Sequence, residues 1–139
     1  MNAPLMFSSF VSLMFLAAAA RAGELTVTIT DIREAHGTLS VAVVNSDAGW
    51  NNQVKPVAFQ KVTAAKGEIT LKFADLPDGK YAVQVMHDQN DNGKLDTNFV
   101  GIPSEGYGFS NNPNVMRRAR FDEAQFVLVG DATISVRLR

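Results

Sequence analysis

The sequence predicts an all-β domain, an antiparallel β-sandwich of about seven strands. Apolar and polar side chains alternate at every second residue in several short runs, and turn residues separate these runs at near-regular spacing. After residue 22, no segment carries the apolar stripe of an amphipathic helix. This pattern is typical of immunoglobulin-like or transthyretin-like sandwiches. A small closed barrel is the alternative, because alternation alone does not separate the two architectures.

The strands are predicted from the N-terminus onward. Leu25, Val27 and Ile29 alternate with threonines, and similar runs start at Leu39, Ile69 and Tyr81. The last of these runs follows the turn Pro77-Asp78-Gly79, in which proline presets φ and glycine accepts positive φ. The side chains predicted to face one core are Leu25, Val27, Ile29, Leu39, Val41, Val43, Ile69, Leu71, Phe73, Tyr81, Val83 and Val85.

Three further strands and one helical turn complete the prediction. A third strand is expected around Val57, Phe59 and Val62, and two C-terminal strands at Phe126–Leu128 and Ile134–Leu138. One helical turn fits within residues 117–125. Trp50, in the loop after the second strand, is predicted either to fill the core or to form an exposed contact.

Composition limits the classes of function. The chain has 139 residues, a formal net charge of −1 and no cysteine, which suits one domain. The absence of cysteine excludes disulfides, thiolate metal sites and a cysteine nucleophile. Because the charge is balanced, there is no general electrostatic reason to expect nucleic acid as a partner.

The first 22 residues are predicted to be a cleaved signal peptide. No charged side chain occurs before Arg21, and an almost unbroken apolar run extends from Leu5 to Ala20. Ala20-Arg21-Ala22 then offers small residues at the positions that a signal peptidase reads, which places cleavage before Gly23. A retained anchor is the alternative, but this run is short for a span of roughly 20 residues. We therefore expect a single exported domain at 23–139, without a membrane span, in the periplasm or outside the cell.

The segment after the fifth strand resembles a calcium loop. With Asp88 as position 1, oxygen-bearing side chains fall at positions 3, 5 and 9, and glycine at position 6. A hard cation requires six to eight oxygens, and alternate residues of a tight loop point inward. The predicted calcium ligands are Asp88, Asn90, Asn92, the main-chain carbonyl of Lys94, and Asp96.

This loop also departs from an EF-hand. Position 12, which holds a bidentate glutamate in an EF-hand, is Phe99. Without that ligand, a calcium site is expected to be weak, with a dissociation constant of roughly 0.1–1 mM. The alternative is an asparagine-rich turn, held without metal by hydrogen bonds from its own side chains.

A glycine-rich segment with aromatic side chains follows at residues 97–112. Two uses are open: its aromatic rings stack on a ligand, such as a glycan or protein of the cell envelope, or Phe99, Tyr107 and Phe109 fold back and close the open end of the sandwich. The candidate ligand-contact residues are Glu105, Tyr107, Phe109, Asn111 and Asn112.

The run HDQNDNGKLDTNFVGIPSEGYGFSNN, entered through LPDGKYAVQVM, resembles a bacterial family of small secreted proteins of unknown function. The resemblance is specific from about Leu76 to Asn112 and looser from Leu25 to Arg139. It implies export and a single β-sandwich domain, and it brings no catalytic residues. The core DxNxNGxxD is also similar to calcium turns in sandwich repeats of bacterial surface proteins.

Three classes of function remain consistent with the sequence. The first is a non-enzymatic binding or accessory module with a calcium-stabilised loop. The second is a secreted hydrolase that uses Asp96 and Glu105 as a carboxylate pair. The third is a structural envelope protein that interacts through a strand edge. No catalytic residue is assigned.

Overall fold

The structure, a computed structural model, describes residues 21–139. The predicted signal peptide therefore lies almost entirely outside the described residues. Within residues 21–139, no helix has the length and apolar character that crossing a membrane requires. The elements, in chain order, are β1 (Ala22–Ile32), β2 (Thr38–Val44), α1 (Asp47–Trp50), β3 (Ala58–Thr63), β4 (Gly67–Pro77), β5 (Gly79–Asp88), β6 (Tyr107–Phe109), α2 (Phe121–Ala124), β7 (Phe126–Leu128) and β8 (Ala132–Arg137).

The strands form two sheets, as predicted for a sandwich. One sheet has the order β4-β1-β8, and the other has the order β3-β2-β5-β6, with β7 paired to the start of β5. One pair departs from the antiparallel prediction, because β1 and β8 run parallel, with Val27 opposite Ile134. A parallel pair requires a crossover, and β8 reaches β1 after the intervening chain has built the second sheet.

The core between the sheets contains the predicted residues. Eleven of the twelve predicted inward side chains are buried, and Ile69 is half-buried against the same cluster. Thr26, Thr28 and Thr30 lie on the other face of β1, half-buried, which confirms the register of that strand. Burial of apolar side chains on alternate positions is the main favourable contribution to folding here, at roughly 25 cal/mol per Å².

The third strand is confirmed as β3. Phe59 and Val57 are exposed, and the inward positions of β3 are Ala58, Gln60 and Val62. The apolar residues around β3 occupy both odd- and even-numbered positions, so alternation does not show which face of the strand is buried. Strand pairing decides which face of β3 points outward, because β3 joins β2 with Ala42 opposite Phe59.

Two short elements were not predicted. The helical turn α1 begins after Ser46, whose hydroxyl accepts the main-chain N–H of Gly49 at 3.1 Å. The strand β6 lies inside the segment expected to be an irregular loop, and it pairs with β5. Ser110 holds the end of β6, because its Oγ accepts the N–H of Val83 at 2.8 Å and donates to the carbonyl of Ala124 at 2.5 Å. The helical turn expected within 117–125 is confirmed as α2.

Candidate functional site

The outer face of the four paired strands β3-β2-β5-β6 carries two rows of side chains. The strand register places one residue from each strand in each row. The first row is Phe59, Ala42, Gln84 and Phe109, and the second is Lys61, Ser40, Met86 and Tyr107. Since neighbouring strands lie about 4.8 Å apart, each row spans roughly 14 Å.

Small residues on β2 make this face concave. Ala42 and Ser40 lie between the larger side chains of β3 and those of β5, so the middle of each row is low. The resulting groove has a volume of about 840 Å³. Ile102 and Pro103 flank the groove on one side, and Met116 and Arg118 belong to the segment after β6 that also lines it.

One end of the outer face is covered by a second apolar cluster. Trp50 of α1 is buried there with Val44, Ala82 and Phe121, and its indole N–H donates to the carbonyl of Ala119 at 2.9 Å. The ring of Trp50 lies 5.3 Å from that of Phe109. Of the two roles predicted for Trp50, the structure shows the packed one, although in a cluster outside the main core.

The cationic side chains of the groove differ in their partners. The Arg117 guanidinium forms a two-point contact with the Glu123 carboxylate, at 2.7 and 2.9 Å. Arg118 instead donates to three neutral groups, the Trp50 carbonyl at 2.6 Å, Gln84 Oε1 at 3.1 Å and Asn51 Oδ1 at 3.4 Å. Its guanidinium lies 5.3 Å from the Trp50 ring centre. Burial lowers the pKa of Arg118 from its ordinary value.

The charged residues described in the lining of the groove are cations. Its lining includes Arg117, Arg118 and Arg139, and none of the described residues that line it is Asp or Glu. Arg139 donates to the carbonyls of Val115 and Pro113, and so holds the segment after β6 in place. Within residues 21–139, no ion pair involves Arg118 or Arg139.

The side chains of the predicted calcium loop meet in one network. Asp96 accepts hydrogen bonds from the side-chain amides of Asn90 and Asn92, at 2.5 and 2.7 Å, which lower its pKa, the bond from Asn92 most. Asp88 accepts the main-chain N–H groups of Asn92 and Gly93, at 3.1 and 2.7 Å. Gly93 has a φ of +81°, as the predicted chain reversal requires.

This network fits the turn held by its own side chains, which was the alternative to calcium. In the described part of the chain, no group of three or more His, Cys, Asp or Glu side chains is placed to hold a metal ion. The side chain of Lys94 is exposed, and its main-chain N–H donates to Asn92 Oδ1 at 3.1 Å. Asparagine and main-chain oxygens would therefore have to supply most of the ligands, and calcium binding stays a prediction.

Glu105 connects the two ends of the calcium-like loop. It is 6% exposed, and its two carboxylate oxygens accept the main-chain N–H groups of Gln89 and Asp96, at 3.0 and 2.9 Å. Both carboxylates of the suggested catalytic pair thus already accept two hydrogen bonds. This geometry gives no support to the hydrolase alternative, which stays a prediction.

The aromatic and amide candidates have different environments. Tyr107 and Phe109 are half-buried and line the groove, with ring centres 5.7 Å apart. Phe99 is fully exposed, so it does not close the end of the sandwich. Asn111 and Asn112 hold neighbouring segments: Asn111 donates to the Gln125 carbonyl at 2.6 Å, and Asn112 accepts the N–H of Arg137 at 2.8 Å.

Sequence reasoning found part of this groove. Tyr107 and Phe109 were candidates, whereas Phe59, Met86 and Arg118 were not. A signal for Met86 is present in the sequence, because Met86 and its outward neighbours Ala42 and Gln84 lack charge. Their assembly into one groove depends on strand pairing between distant segments, which one sequence does not display.

Comparison with known proteins agrees with this architecture. Residues 27–136 match the family described as "Uncharacterized protein conserved in bacteria (DUF2141)". The chain belongs to this family, which confirms the predicted resemblance to a bacterial family of unknown function. No curated protein and no solved structure matches the chain.

Proposed function

We propose that this protein is an exported, non-enzymatic binding module whose ligand site is the groove on the outer face of the β3-β2-β5-β6 sheet. One observation carries this proposal: a concave surface of about 840 Å³ combines aromatic and aliphatic side chains with a few convergent polar groups. Small-molecule sites are typically concavities of 300–1,000 Å³ with this mixed lining. The sandwich supplies a rigid support for the site.

The groove is open to ligands along its apolar parts. Phe59 is 50% exposed, and Ile102 and Met116 are exposed as well. Exposed apolar side chains that cluster around a concave surface mark a site of interaction more often than isolated ones do. Burial of this surface by a ligand would supply the driving force for binding.

A groove-filling variant tests the proposal. The neutral dye Nile red, whose emission rises in apolar surroundings, serves as the probe. Ala42→Phe places a bulky ring in the low middle of the first row, so we expect its affinity for Nile red to fall at least about tenfold. Thr28→Phe, at an outward position on the central strand of the other sheet, is the matched control. Equal binding by both variants and the parent protein would contradict the groove as the site.

We also propose that calcium stabilises the loop at residues 88–96. The supporting observation is the proximity of the four side chains: Asp88 and Asn90 accept the same main-chain N–H of Asn92, and Asp96 accepts the side-chain amides of Asn90 and Asn92. Calcium binding would require both amides to turn their oxygens toward the ion. Calcium is a hard cation that takes such oxygens as ligands. A rise in melting temperature with calcium, but not with an equal concentration of magnesium, would support this site.

Export rests on the N-terminal segment, for which the sequence is the only support. Mass spectrometry of the protein from both the cells and the medium of a bacterial host tests it directly. We expect the mature chain to begin at Gly23. A mature chain that begins at Met1 or Asn2 would contradict cleavage and favour the retained anchor.

A further inference from the structure

We propose that the groove binds an elongated carboxylate with an apolar body, such as an acyl-chain carboxylate, and that Arg118 recognises its carboxylate group. This inference deepens the proposed function and rests on it. It follows from three features of the groove: its narrow trough, its apolar lining and the position of Arg118.

The shape favours a narrow, extended ligand. The low positions Ser40 and Ala42 are successive outward residues of β2, and larger side chains of β3 and β5 lie on both sides of them. The trough therefore follows β2. An extended chain in this trough contacts Phe59 on one side and Met86 on the other.

The charge favours an anion. A guanidinium has five N–H donors, and within residues 21–139 those of Arg118 contact neutral oxygens alone: the Trp50 carbonyl, Gln84 Oε1 and, at 3.4 Å, Asn51 Oδ1. A cation–π contact with Trp50, 5.3 Å from the ring centre, also positions the guanidinium. A partly desolvated cation without a carboxylate partner gains from a charge-assisted hydrogen bond to a ligand.

The cations near the groove differ in their places. Glu123 compensates the charge of Arg117. Arg139 donates to the carbonyls of Val115 and Pro113 and so positions the segment after β6, and Lys61 lies at the outer end of the second row, 5.9 Å from the centre of the Phe59 ring. Arg118 lies beside Gln84 in the first row, so we assign the recognition of the carboxylate to Arg118.

Calorimetry with dodecanoate and its neutral counterpart dodecanol, both below their aggregation limits, tests the inference on the mature chain. We expect dodecanoate to bind at least about tenfold more tightly than dodecanol. Arg118→Gln should reduce this preference to less than about twofold, while dodecanol affinity changes little. Arg137→Gln removes an arginine outside the groove and should retain the full preference.

Arg118→Gln loses contacts to Trp50 and Gln84, so the melting temperature of this variant is measured alongside its affinities. Arg118→Lys is the second variant. The lysine keeps the charge, so we expect most of the preference for dodecanoate to remain. Equal binding of both probes by the parent protein would overturn the inference but leave the groove as an apolar site. A preference unchanged in Arg118→Gln would also overturn it. Failure of both probes to bind would overturn the inference together with the proposed groove function.

Discussion

Tyr107 and Arg139 exchange main-chain hydrogen bonds in both directions, with N···O distances of 3.4 Å from Tyr107 and 2.8 Å from Arg139. Tyr107 starts β6 in one sheet, and Arg139 follows β8 in the other. These hydrogen bonds join the two sheets along this side. The sandwich is therefore closed there in the way that a barrel is closed. On the opposite side, the Gln60 side chain donates to the Lys72 carbonyl at 2.6 Å and connects β3 with β4.

Gly108 allows the close approach of β6 to β8, and substitution there should open the joined side. A Cβ at Gly108 would lie 2.7 Å from the Arg137 carbonyl oxygen and 2.8 Å from Val136 Cγ1. We expect Gly108→Ala to lower the free energy of unfolding by about 1–3 kcal/mol, measured by urea denaturation. Gly79→Ala is the control, because its Cβ would meet only ordinary contacts from 3.8 Å. Equal stability of the two variants would contradict this role of Gly108.

The carboxylate of Glu105 should be required for the order of the calcium-like loop. Glu105→Gln replaces one acceptor oxygen by an NH₂ group, which leaves a main-chain N–H of Gln89 or Asp96 without its partner. We expect a loss of about 1–3 kcal/mol in the free energy of unfolding and faster hydrogen exchange at these two amides. Glu68→Gln, on an exposed residue of β4, should change neither quantity. Unchanged exchange at Gln89 and Asp96 would contradict the prediction.

Calcium should raise the melting temperature if it binds the folded loop alone. With a dissociation constant of about 0.1 mM, 1 mM calcium stabilises the fold by about 1.4 kcal/mol, which corresponds to several degrees. Asp96→Asn should remove most of this rise, because it deletes a negative charge of the site. The substitution keeps the size of the side chain. Asp75→Asn, an exposed control outside the loop, should retain it.

Asp96→Asn is a sharper test than a variant of Asp88. Asp88 accepts two main-chain N–H groups, so Asp88→Ala should destabilise the loop even without metal. Differential scanning fluorimetry in chelator and in 5–10 mM calcium measures the response. An identical melting temperature in both conditions would leave the turn held by its own side chains as the explanation for the motif.

Glu123 should make stability depend on pH below about 4.5. Hydrogen bonds from Arg117, followed by the main-chain N–H of Arg120, lower its pKa from 4.5 to about 2. Since the folded pKa is the lower one, the stabilisation is fully present above pH 4.5 and is lost as pH falls towards 2. The melting-temperature difference between the parent protein and Glu123→Gln should be greatest near pH 6 and shrink in that window. A constant difference from pH 6 to 2.5 would contradict this assignment.

The sequence by itself determined which strands build the core. Along β1, β2 and β5, large apolar side chains at every second residue assign one face of each strand to the core, and a shift by one residue would move them to the other face. The calcium-like turn could also be predicted from the sequence, because Asp88 accepts the main-chain N–H of Gly93, which is only a few residues away. Such short-range features depend on backbone geometry that neighbouring residues impose.

Only the tertiary structure decided which outward residues meet. Phe59, Ala42, Gln84 and Phe109 are distant in sequence and form a row solely through strand pairing. The same holds for the short strand β6, whose three residues gain stability from pairing with β5 rather than from any local preference. Glu105 changed from a candidate catalytic group to a support of the loop for this reason: its partners, Gln89 and Asp96, reach it only when the chain folds back. Side chains on solvent-facing positions lack the burial requirement that makes core positions readable, so their arrangement follows from the assembled sheet.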